Sequence, residues 1–204
     1  DLTAYWSFDA NFDEEIGTVP SNTSANWGGG TNPLGPGKFS QAVISTSAIS
    51  TVGYSAFDVV PAVVSHTAGT MELWVNPTGG VGGFEWLMGT SVGNIGSGLW
   101  DQGVHLYLNA GRLHASLQDV VLTRDWLEPG EPTDPDPAGL AVLNEDEWNH
   151  VALVWDPNIV SLFANGNRVS TQVRDTGNWL TGDPHFFFAG SNPPGARAFT
   201  GSLD

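Results

Sequence analysis

The chain of 204 residues contains no cysteine. That excludes a disulfide framework, thiolate zinc sites and cysteine nucleophiles together, so stability must come from a packed core. Cations are almost as scarce: six Lys and Arg stand against 22 Asp and Glu, for a net charge of −16. Six scattered cations cannot form the basic face that neutralises phosphates, so nucleic acid is not a partner, and an anionic membrane surface is disfavoured for the same reason. Long apolar runs are missing too. None approaches the roughly 20 residues that span a bilayer, which argues against direct membrane insertion. No window of about 15 residues holds a helical apolar stripe. Asp1 stands directly before a strand-like segment with no basic-then-apolar leader, as expected of a secreted domain whose signal peptide has been removed.

What is present is aromatic and well punctuated. Nine Trp and ten Phe, in a chain 40% hydrophobic, are enough to fill an interior, so the chain should fold rather than stay disordered. Gly (26) and Pro (13) cut the whole length into short segments of period-two alternation. Candidate strands are Leu2 to Phe8, Ala42 to Ile44, Gly69 to Asn76, Trp86 to Thr90, Gly103 to Leu108, Arg112 to Gln118, Asn149 to Asp156, Ser161 to Ala164, Asn167 to Gln172 and His185 to Ala189. They fit one all-β domain, a two-sheet antiparallel sandwich spanning residues 1–204. In the segment from Trp148 to Asp156, Val151, Leu153 and Trp155 point one way and Ala152 and Val154 the other, so this strand should be central.

Two turns carry a mechanism. Asn165-Gly166 suits the positive φ angles of a two-residue type I′ hairpin. Asn109-Ala110-Gly111 makes a second reversal that sets Leu108 near Leu113 and Tyr107 near His114. This register gathers Leu106, Leu108, Leu113, Ala115 and Leu117 on one face and His105, Tyr107 and His114 on the other. Residues 119–147 differ in kind. Eight acidic residues follow Arg124, and Pro129-Gly130-Glu131-Pro132-Thr133-Asp134-Pro135-Asp136-Pro137 interrupts any alternation, so an inserted surface loop is expected. The glycine runs Gly28–Gly30 and Gly79–Gly83 read as further loops, since neither has the strand-to-helix setting of a phosphate loop.

Several blocks then resemble a known family. Tyr5-Trp6-Ser7-Phe8-Asp9 followed by Asp13-Glu14-Glu15-Ile16-Gly17, then Gly37-Lys38-Phe39-Ser40-Gln41-Ala42, then Gly69-Thr70-Met71-Glu72-Leu73-Trp74-Val75-Asn76-Pro77, stand in the order seen in laminin-G-like domains. The most specific piece is Glu147-Trp148-Asn149-His150-Val151-Ala152-Leu153-Val154-Trp155-Asp156, running into Leu162-Phe163-Ala164-Asn165-Gly166. Phe199-Thr200-Gly201-Ser202-Leu203-Asp204 resembles the start of the closing strand, and in the family that strand continues beyond the position of Asp204. The resemblance is to the concanavalin-A-like lectin and glucanase superfamily and implies a jelly-roll sandwich. It also implies that the acidic opening turn and the closing-strand Asp hold Ca²⁺, which makes Asp9, Asp13 and Asp204 the candidate ligands, with Glu14 as a spare.

A second constellation is a ligand face of His105, Tyr107 and His114, supplemented by Trp86, Trp100 and Trp126. Sugars stack their C–H faces on aromatic rings while short polar groups fix their hydroxyls, and this set offers both. A catalytic reading is weaker. Retaining glycosidases need two carboxylates about 5 Å apart, and the nearest candidate, Asn144-Glu145-Asp146-Glu147, lacks alternating apolar neighbours. No Gly-x-Ser-x-Gly elbow is present. The expectation is a secreted carbohydrate-binding or adhesion module, calcium-assisted, acting at the cell surface or outside the cell on a glycan or an extracellular protein. The alternatives are a structural subunit that assembles through sheet edges into a layer or filament, and a polysaccharide-active enzyme that uses His105 and Tyr107.

Overall fold

Thirteen strands form among the described residues of the computed structural model, several of them rich in the β-branched and aromatic residues that suit a pleated surface. The structure describes residues 34–45, 57–59, 65, 67–78, 83–92, 103–118, 124–127, 141–175, 185–189 and 199–204. In chain order the strands are β1 (Leu34–Pro36), β2 (Gln41–Ser45), β3 (Phe57–Val59), β4 (Gly69–Pro77), β5 (Phe84–Val92), β6 (Gly103–Asn109) and β7 (Arg112–Gln118). They continue as β8 (Arg124–Leu127), β9 (Asn149–Trp155), β10 (Ile159–Ala164), β11 (Asn167–Val173), β12 (His185–Ala189) and β13 (Gly201–Leu203). Seven make one antiparallel sheet in the order β1-β2-β13-β4-β9-β10-β11, and six make the other in the order β3-β12-β5-β6-β7-β8. No helix occurs among the described residues.

Period-two alternation sends one face of each sheet into a shared core. Leu73 and Val75 of β4 and Val151, Leu153 and Trp155 of β9 join Val104, Leu106 and Leu108 of β6 and Leu113, Ala115 and Leu117 of β7. β9 is an interior strand, as its doubly apolar pattern predicts, with Leu153 registered between Met71 and Leu162. Its outer face is more open than expected, because Val154 is exposed while Ala152 is buried.

Both hairpins hold their predicted registers. Asn165 (φ 50°) and Gly166 (φ 78°) turn β10 into β11, and Ala164 faces Asn167. Between β6 and β7 the turn itself is Ala110 (φ 50°) and Gly111 (φ 77°), with Asn109 still paired to Arg112. Leu108 faces Leu113 and Tyr107 faces His114. A non-glycine residue in the left-handed region is costly, and Ala110 is anchored there by donating its N–H to the Gly83 carbonyl at 3.1 Å.

The expected loop over residues 119–147 requires correction, because β8 lies inside it. β8 supplies the hydrogen-bond partner along β7, and its register puts Leu127, fully buried, opposite Ala115. At the far end of the same segment Leu113 donates its N–H to the Ala141 carbonyl at 2.8 Å, and Val142 bridges to Arg112. The closing segment is also more central than a terminal strand would be. β13 lies between β2 and β4, with Leu203 registered to both Val43 and Val75. Gly201 enters it at φ 148°, where a Cβ would collide with the Asn76 carbonyl and the Phe199 ring, so only glycine fits. The short strands β1 and β3 were not anticipated from sequence, and the expected strand from Leu2 to Phe8 lies outside the described residues.

Candidate functional site

The face of the six-stranded sheet turned away from the core carries rings. Opposite Tyr107 in the register stands Trp86 on one side and His114 on the other, so β5, β6 and β7 each contribute to one row. A bulge makes this possible. Trp86 pairs with Tyr107 but Met88 pairs with Leu106, so Leu87 is the extra residue, and the strand sends Trp86 outward while Leu87 is fully buried in the core. Phe84 and Tyr107 stack at 4.4 Å and 17°, and Tyr107 and His114 continue the stack at 5.3 Å and 19°. Trp86 closes on the stack edge-on, 4.9 Å from Phe84 and 5.3 Å from His105. His105 Nδ1 lies 3.3 Å from Ser116 Oγ, one strand over.

Unlike an ordinary solvent face, this one is largely buried: His105, Tyr107 and His114 are 3%, 2% and 7% exposed, and Ser116 and Gln118 beside them are buried as well. Phe84 and Trp86 are half-buried and present the accessible rings. Burial, aided by the Arg112 guanidinium, lowers the His114 pKa to about 4, so its imidazole is neutral at physiological pH. Its Nδ1 and the Gln118 Nε2 are buried without a hydrogen-bond partner among the described residues. Such groups cost free energy unless something pairs with them. Glu85, at the rim of the sandwich, has its pKa raised by burial, partly offset by a long hydrogen bond from the Thr200 N–H at 3.4 Å.

The structure therefore brings together the predicted His105, Tyr107 and His114, on the predicted face, but as a packed stack rather than an open one. Trp86, named with them as a supplementary aromatic at the start of a predicted strand, lies on β5 and joins them. Trp126 falls on β8 opposite Ser116, and Trp100 lies outside the described residues. Phe84, Ser116 and Gln118 were missed. The last two follow His114 at alternate positions, a pattern readable in the sequence; Phe84 was lost because the predicted strand began two residues late.

Of the proposed calcium ligands, Asp9 and Asp13 lie outside the described residues. Asp204 Oδ2 accepts the N–H groups of Lys38 at 2.6 Å and Phe39 at 3.0 Å, holding the turn between β1 and β2. Among the described residues no three His, Cys, Asp or Glu side chains converge as a metal site. Glu145, Asp146 and Glu147 are exposed in the turn before β9, not alternating along a strand. The adjoining Trp148-to-Asp156 motif is architectural around Asn149. Its fully buried amide accepts from the Asn144 N–H and Asn165 Nδ2 and donates to the carbonyls of Asn144 and Glu147. The His150 N–H donates to Asn165 Oδ1, and the His150 carbonyl accepts from the Asn165 N–H.

Two antiparallel sheets around one core define the chain as a β-sandwich of the lectin-like class. It belongs to the concanavalin A-like lectin/glucanases superfamily, whose Laminin_G_3 model matches residues 50–204. Among solved structures, the carbohydrate-binding module of a Ruminococcus gnavus sialidase bound to α2,3-sialyllactose is similar at 19% identity and a TM-score of 0.53, over 72% of this chain and 80% of that one. Domain 4 of an extracellular arabinanase from Geobacillus stearothermophilus, in complex with arabinotriose, is similar at 16% identity and a TM-score of 0.58, over 86% and 73%. The binding domain of Paraclostridial Mosquitocidal Protein 1 is similar at 14% identity and a TM-score of 0.60, over 85% of this chain and 41% of that one. At these identities the likeness establishes the fold alone. A comparison with curated proteins finds no match.

Proposed function

We propose that the chain is a secreted, non-catalytic glycan-binding module, and that the outer face of its six-stranded sheet is the site. The observation that carries this reading is the ring stack of Phe84, Tyr107 and His114 with Trp86, built on the face the core does not use. Half-buried Phe84 and Trp86 offer rings for a sugar C–H face, and the stack beneath holds them in place before any ligand arrives. Beneath those rings, neutral His114 and the amide of Gln118 carry buried polar atoms that a hydroxyl reaching between the rings would pair, with no change of protonation. The sialyllactose and arabinotriose found with two structural neighbours support a glycan as the ligand class.

Calcium at Asp9, Asp13 and Asp204 is part of the proposal. Asp204 suits one place in such a site, because the N–H groups that grip Oδ2 fix the orientation of its carboxylate. When bound, the ion would supply charge neutralisation between the acidic segments. A glycan array tests the function. The protein should bind a restricted set of glycans, and Trp86→Ala should lose that binding at a temperature where its unfolding curve shows the variant still folded. Uniform absence of binding across the array would reject the reading.

A further inference from the structure

The seven-stranded sheet carries a smaller aromatic group on its own outer face. Trp74 alternates with Leu73 and Val75 of the core and so points the other way, and the register sets His150 opposite it at a ring distance of 5.1 Å. The turn between β1 and β2 arches over this pair. Phe39 meets Trp74 edge-on at 6.0 Å, and Lys38 Nζ stands 4.6 Å from the centroid of the Trp74 ring. Glu72, two residues along β4, approaches His150 Nε2 at 3.5 Å.

We propose that Phe39, Trp74 and His150 form a second saccharide-stacking platform, separate from the site on the other sheet and selective for neutral sugars. Folding energetics do not account for Phe39, which is 71% exposed and gains little from burial. Yet its turn is held firmly. Asp204 Oδ2 takes the N–H groups of both Lys38 and Phe39, and the Asp204 backbone exchanges two hydrogen bonds with Trp74, at 2.8 and 3.0 Å. Gly37 fits tightly against the backbone of Gln41 and the Asp204 carboxylate, where a Cβ would have no room. An exposed ring on a pre-organised turn is an arrangement that lowers the cost of binding.

The surrounding charges choose the ligand. Glu72, with a side chain 60% exposed, accepts hydrogen bonds, and Lys38 donates them, so hydroxyls find both kinds of partner beside the rings. A cationic ligand would compete with Lys38 for the Trp74 face, and an anionic one would meet Glu72 within a protein of net charge −16. A neutral pyranose or furanose is repelled by neither Lys38 nor Glu72, and its C–H face can rest on the exposed Phe39 ring without displacing Lys38 from Trp74.

Ligand-observed NMR titrations with xylotriose, cellotriose and chitotriose test the platform, with Phe39→Ala and His114→Ala compared against the parent protein. At least one trisaccharide should bind, Phe39→Ala should weaken it by about tenfold, and His114→Ala should leave that event in place. Because Phe39 is exposed, its truncation spares the core, and an unchanged unfolding curve serves as the control. Parent-like affinity in Phe39→Ala, or no binding of any of the three sugars, would overturn the proposal. Loss of all binding in His114→Ala alone would assign the sugars to the six-stranded sheet and likewise overturn it.

Discussion

His114 is held neutral by its surroundings, and that has a consequence for stability. Its folded pKa, about 4, lies below the unfolded value of 6.5, so between those limits the unfolded chain takes up a proton that the folded chain refuses. Stability from this residue is therefore complete above pH 6.5 and falls as the pH drops towards 4. After allowance for solvent screening the loss is about 2 kcal/mol. Urea unfolding of the parent and of His114→Gln should show it as a shallower decline for the variant across that range, with m unchanged. Glu85 has the opposite sign. Its raised pKa means that its contribution is present below the ordinary carboxylate value and is lost as the pH rises past the folded one, and it cancels in the comparison. At this scale the sequence was informative about direction and silent about depth. Alternation alone placed His105, Tyr107 and His114 on one face, but their burial depends on Phe84 and Trp86 of a third strand and on a bulge at Leu87 that period-two reading cannot anticipate.

Among the elements, β13 carries more of the fold than its three residues suggest, since it joins β2 to β4 and brings Asp204 to the turn that bears Phe39. Gly201→Ala would force a Cβ against the Asn76 carbonyl at a φ that L residues rarely adopt. A destabilisation of about 2 kcal/mol or more is expected, measurable as a lowered urea midpoint. Asp204→Ala removes an acceptor of two N–H groups and should cost about 1 kcal/mol, whereas Asp204→Asn keeps an oxygen there and should cost less. β7, with its strong alternation, was legible to the residue, and so was β12, as a short aromatic run between turn residues. β8 was not: Arg124, Asp125 and Trp126 carry little alternation, and the strand exists because β7 offers a free ladder and Leu127 a place in the core. The hairpin turns were legible for a local reason, since Asn165-Gly166 and Ala110-Gly111 contain the glycine that a positive φ demands.

For the molecule as a whole, the family's ordered motifs made the sandwich readable, while the candidate site was readable only in outline because it assembles from three strands. The excess of acid over base bears on calcium. If Asp9, Asp13 and Asp204 share an ion, added Ca²⁺ should raise the melting temperature and a chelator should reverse the gain; identical melting curves in calcium and in chelator would reject calcium assistance. Glycan recognition on the six-stranded sheet can be read at the side-chain amide of Gln118, which is buried among the candidate site's polar groups with no partner on Nε2 among the described residues. In ¹⁵N-edited NMR spectra of the protein titrated with a glycan selected on the array, that amide should shift in a saturable manner, together with the His114 ring signals. Saturable binding that leaves both sets of signals unmoved would contradict the account.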